Sequence, residues 1–176
     1  MDSFTKWLAD LLKQPEVQVE RFLRDKDALH FLIAWSIFES KCFTGFLRAT
    51  DLYNFSKRIS DEGFEHETIS SAANHFHQRY QDSERLRNLL HDKTPQKVTE
   101  RFKQVLSKNI SDITPSESIY LVSVVVYRFR NNIFHGRKKV DSWLRYGEQI
   151  RICTESMQHF IRHAESRTVT MEADAA

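Results

Sequence analysis

Thr114-Pro115-Ser116-Glu117 stands just before Ile119-Tyr-Leu-Val-Ser-Val-Val-Val-Tyr127, the most apolar run in the chain. Its β-branched residues would suit a buried strand by local propensity. Two features decide for a helix. Thr-Pro-Ser-Glu is a capping box with proline at the first helical position, so threonine and glutamate can each serve the other's backbone N–H. No second run of this character exists for a strand to pair with. A helix that is apolar on every side belongs at the centre of a bundle. Only 4 Gly and 3 Pro occur among 176 residues, which favours long helices over many short turns. With 40% hydrophobic and 28% charged residues, the chain is globular and large enough for one real core.

Other elements follow from spacing. Phe4, Trp7, Leu8, Leu11 and Leu12 predict a first helix with Ser3 as its N-cap, broken by Pro15; a short second helix carries Val17 to Leu23. From Asp27 a long helix places Ala28, Phe31, Leu32, Trp35, Phe38, Cys42 and Phe46 on one face, widened by Leu29, Ile33 and Phe43. Such a helix is expected to be nearly surrounded by protein. Glu39 within it belongs on the polar edge, or else pairs with an active-site cation.

Leu52, Phe55 and Ile59 predict a helix closed by Gly63. Residues 64–81 carry Ile69, Ala72, Ala73, Phe76 and Tyr80 on one side. His75 and His77 lie about 200° apart on that helix and cannot share a metal from one face. Leu86, Leu89 and Leu90 mark a short helix. Thr94-Pro95 reads as the N-cap and first position of the next, which carries Val98, Phe102, Val105, Leu106 and Ile110. Asp141 caps a last helix with a seam of Trp143, Gly147, Ile150, Thr154, Met157, Ile161 and Ala164, suited to a bundle or a second subunit. His159 and His163 read as solvated rather than as half a metal site. The domain is expected to span 1–165, with a flexible tail over 166–176.

Net charge is +2, so any nucleic-acid site must be a local patch. The candidate lies from Arg128 to Val140. From Ser118 to Val140 there are five Arg or Lys and no Asp or Glu. Cations here also suit the negative pole of a helix end. The spacing of Arg130, Asn131, Asn132 and His135 tips the reading toward a site, with Gly136 ending the helix. Arg128, Asn132, Arg137, Lys138 and Lys139 are the expected RNA contacts, since phosphate neutralisation is the sequence-independent part of such affinity. Cys42 and Cys153 have no ligand spacing and are expected to be reduced, buried thiols. No leader segment and no membrane-length apolar stretch is read, so a soluble cytoplasmic protein is expected.

Arg130-Asn131-Asn132-Ile133-Phe134-His135, followed by Gly136, resembles the signature of HEPN domains: an arginine, four to six residues, then a histidine, with a polar residue after the arginine. The Asn-Asn-aromatic-His-Gly wording is similar to the Apea-like HEPN branch. The signature covers six residues, and the helical layout extends the likeness more loosely to most of the chain. The resemblance implies an all-α, HEPN-like bundle of about four core helices plus short accessory helices. It implies a homodimer with two motifs facing each other, and in many members metal-independent endoribonuclease activity without a cofactor. Roles in toxin or antiphage-defence systems, with an antitoxin or defence partner, belong to the family as well. Other members only bind or assemble, which is the alternative reading. In the toxin branch with a nucleotidyltransferase antitoxin, a tyrosine stands two residues after the histidine; Arg137 takes that place here, so that partner is not expected.

The residue types fit the chemistry. RNA cleavage by its own 2′-hydroxyl needs a base, a cation on the phosphorane and an acid for the leaving 5′-oxygen. His135, with an ordinary pKa near ~6.5, can give or take a proton. Arg130 presents a planar fork to phosphate oxygens, and Asn131 can orient the scissile group. One histidine per chain supplies one proton-transfer group, and a two-fold dimer supplies two. On a straight helix Arg130 and His135 lie about 140° apart, so the helix must distort or end between them, or each must reach the cleft from its own side.

Overall fold

The Glu117 backbone N–H donates to Thr114 Oγ1 at 3.2 Å, and the Thr114 N–H donates to the Glu117 carboxylate at 3.0 Å. The capping box therefore forms, and it starts the helix on which the fold is built. The computed structural model describes residues 2–90, 94–134 and 146–174. Among them it is an all-α bundle of nine α-helices with no strand. They are α1 (Ser3–Leu12), α2 (Glu16–Arg24), α3 (Asp27–Cys42), α4 (Leu52–Asp61), α5 (Ser70–Arg79), α6 (Ser83–Leu90), α7 (Gln96–Leu106), α8 (Pro115–Phe134) and α9 (Gly147–Asp174). No helix among the described residues is long and apolar enough to cross a membrane.

The apolar run is buried on all sides, as its composition demands. Ile119, Leu121, Val122, Val124, Val125 and Val126 are closed off from solvent. The one hydroxyl among them, Ser123, donates to the Ile119 carbonyl at 2.7 Å within the helix. α8 packs against α4, α5, α6, α7 and α9, while α3 lies along α9. Phe38 joins these layers: its ring lies 5.3–5.9 Å from those of Trp35, Phe43, Phe55 and Phe160. Gly63 adopts φ +82°, and the Phe64 N–H reaches back to the Ile59 carbonyl at 3.0 Å, which closes α4 as expected.

Several local expectations need correction. Asp2, not Ser3, caps α1, its carboxylate accepting from the Thr5 N–H at 2.8 Å. A charged acceptor at the positive helix pole outcompetes a hydroxyl one residue later. Pro95 is the N-cap of α7, and the Thr94 hydroxyl donates backward to the Leu90 carbonyl. α7 ends at Leu106, leaving Ile110 exposed on a separate short turn. α3 is not surrounded. Phe31, Ala34, Trp35, Phe38 and Cys42 are buried, but Leu29, Ile33 and Ile37 remain exposed, and Phe46 beyond the helix is 90% exposed. The bundle offers α3 neighbours on one side only. The α9 core face is Ile150, Cys153, Met157 and Phe160, so Ile161 and Ala164 are only partly buried. Helical backbone continues to Asp174, where loss of structure was expected from Ser166. His163 is not solvated: it meets the Phe64 ring edge-on at 5.4 Å, with the Glu62 carboxylate 3.5 Å away.

The α1–α2 hairpin has a small core of its own, Leu8, Ala9 and Val19. Phe4, Trp7 and Leu11 on its other side are exposed.

The capping box carries a stability prediction. Thr114→Ala should cost about 1 kcal/mol, a fall of about 2–4 °C in thermal midpoint. Glu117 adds a pH dependence. Burial pushes its carboxyl up, but the hydrogen bond from Lys108 at 2.6 Å and those from Thr114 together hold it below the usual range. A depressed carboxyl contributes stability above its unfolded value near ~4.3 and loses it as pH falls through the folded value. Melts recorded across that window should show Glu117→Gln less sensitive to acid than the wild type.

Candidate functional site

Successive residues on a helix turn by about 100°, so the end of α8 fans its polar side chains toward different neighbours. Arg128 points inward. It is 3% exposed, and its Nε–H donates to the Leu89 carbonyl at 2.9 Å in the last turn of α6. A guanidinium here satisfies a carbonyl left over by helix geometry and sits at the negative pole. That contact and its burial give Arg128 a structural role at this helix end. Arg128→Met should lower the melting temperature, because the Leu89 carbonyl would lose a partner at about 1–3 kcal/mol. RNA affinity of the folded fraction should be unchanged.

Arg130 points toward α3. Its guanidinium lies 5.5 Å from the centre of the Trp35 ring, and its Nη1–H donates to Asn131 Oδ1 at 3.0 Å. Both side chains are half-buried. The structure thus brings Arg130 and Asn131 together against an aromatic wall. Asn132 turns the other way and is 8% exposed. It lines a cleft with Arg79 of α5, Arg85 and Asn88 of α6, Phe129, and Tyr146 just before α9. His135, Arg137, Lys138 and Lys139 lie outside the described residues, as do Gly136, Asp141 and Trp143.

Glu39, His77 and the two cysteines have structural surroundings of their own. Glu39 accepts from the Leu47 N–H at 3.0 Å and so holds the loop after α3, not a site cation. His77 is buried with Nε2 3.1 Å from the Lys108 carbonyl, so Nε2 carries the proton and ties α5 to the end of α7. Both cysteines are free and buried. Burial pushes the Cys42 thiol up to about 12 and Cys153 higher still, which leaves neither a useful nucleophile.

Nothing in the sequence marks Arg79, Arg85, Asn88 or Tyr146 as site residues. Trp35 was legible only as a core residue. Arg79 and Arg85 flank the turn between α5 and α6, far along the chain from Asn132, and no local spacing links them. Compared with known proteins, the chain matches no family model, no curated protein and no solved structure. The chemistry must be argued from the residues: a guanidinium held by an amide at the end of the central helix, and a polar cleft on the opposite side of the same turn.

Proposed function

We propose that this chain is a HEPN-type, metal-independent endoribonuclease that works as a cytoplasmic homodimer. The observation that carries the reading is the Arg130–Asn131 pair, set at the end of the buried helix and five residues or fewer before His135. Arg130 is permanently charged and pre-oriented, which suits charge developing on a phosphorane. His135 takes the 2′-hydroxyl proton as the 2′-oxygen attacks phosphorus. The bond to the 5′-oxygen breaks, and His135 of a second copy protonates that oxygen. The products are a 2′,3′-cyclic phosphate and a 5′-hydroxyl. A role as a toxin or antiphage effector, with an antitoxin or defence-system partner, rests on family analogy.

The test is a mixed RNA pool incubated in EDTA with wild type, Arg130→Ala and His135→Ala, followed by end-group analysis and sedimentation of the protein. Cleavage by the wild type alone, with cyclic phosphate ends, supports the reading. Intact RNA, or equal cleavage by His135→Ala, overturns it. One observation favours a non-catalytic RNA or nucleotide module instead: the Arg130 guanidinium is already engaged by Trp35 and Asn131. That reading expects tight ligand binding unaltered in His135→Ala.

A further inference from the structure

The cleft on the Asn132 side of α8 is built from cations and amides. Arg79 and Arg85 line it together with Asn88 and Asn132, and the Tyr146 ring is part of the lining. The Arg79 guanidinium lies 5.9 Å from the centre of that ring, which also meets Phe129 edge-on at 5.8 Å. Arg79 Nε is shielded from solvent and has no hydrogen-bond partner among the described residues.

None of the described lining residues is acidic. Arg24, Arg58 and Arg151 each pair with a carboxylate, but neither Arg79 nor Arg85 pairs with one among the described residues. Of the acids nearest in sequence, Asp82 accepts from the Arg85 backbone N–H at 2.8 Å to start α6, and neither it nor Glu84, adjacent to Arg85, is among the described lining residues. Tyr80, also in the lining, is buried, and burial pushes its phenol well above its ordinary range, so it stays neutral. Two guanidiniums sharing a cleft with no counter-charge among the described residues repel each other, and an anion between them relieves the cost.

Size selects the anion. The cleft encloses about 40 Å³. On a scale where one water needs about 10–15 Å³, this is room for a phosphate group but not for a base.

We propose that Arg79 and Arg85, with the Asn88 amide beside them, hold a backbone phosphate of the bound RNA strand. This rests on the endoribonuclease reading for its ligand but not for its chemistry. Binding would position the strand, so these are positioning residues rather than catalytic ones.

The test separates binding from cleavage. The probe is a short, labelled single-stranded RNA with 2′-O-methyl groups throughout, which cannot undergo 2′-oxygen attack. Its affinity is measured against salt concentration for wild type, Arg79→Gln, Arg85→Gln and a control, Arg21→Gln on the exposed hairpin. Each cleft substitution should weaken binding about tenfold, as for a lost charged hydrogen bond. It should also reduce the slope of log affinity against log salt by about 0.7, one phosphate contact on a single strand. Arg21→Gln should change neither.

Unchanged affinity and slope in Arg85→Gln overturn the proposal; that side chain is exposed, so its loss is not expected to disturb folding. Failure of the wild type to bind the probe overturns it as well. If the cleft variants lose binding while unmodified RNA is never cleaved by the wild type, the phosphate site stands and the nuclease reading falls.

Discussion

His135→Ala is expected to cut RNA cleavage by about 10²–10⁴-fold, the usual worth of a positioned proton-transfer group. In a composite site both the base and the acid come from this residue, one from each copy, so the loss should lie toward the upper end. Mixing excess His135→Ala protein with wild type should then poison activity, because mixed dimers lack one of the two groups. A monomeric site predicts simple dilution instead. Arg130→Ala should match the effect on turnover while leaving the pH profile of the residual rate in place, since a guanidinium does not titrate near neutrality. Equal rates for wild type and His135→Ala, at equal helix content by circular dichroism, would sink the catalytic assignment.

Phe38→Ala is expected to destabilise the fold by about 3–5 kcal/mol, the cost of emptying a buried aromatic site. Phe38 is fully buried and touches four rings drawn from α3, the loop after it, α4 and α9. No single neighbour can move in to fill the gap. Domains of this size are stable by about 5–15 kcal/mol in total, so the variant should melt on the order of 10 °C lower and express poorly. Ile37→Ala, one residue earlier on the exposed side of α3, should change stability by less than about 1 kcal/mol. The pair is a direct check on which way α3 faces. Equal melting temperatures for the two variants would mean that the helix is rotated from the position described.

What the sequence by itself determined was local and periodic. Thr114 to Glu117 specified the start of α8, because both hydrogen bonds of a capping box close within four residues. Gly63 specified the end of α4 for the same reason. The run from Ile119 to Tyr127 announced a central helix, since apolar residues on all sides leave no face for water. The all-α class followed from these elements.

Where a side chain goes at a helix end depends on which neighbour arrives there, and that is decided in three dimensions. Arg128 and Arg130 are alike in sequence, yet one is sealed against the Leu89 carbonyl and the other lies over Trp35. The same holds for α3, whose apolar residues exceed the surface its partners can cover. It holds most of all for the cleft, where Arg79 and Arg85 meet Asn132 only because α5 and α6 pack beside the last turn of α8. Spacing along a chain encodes hydrogen bonds a few residues long; convergence of charges from separate helices is a property of packing alone.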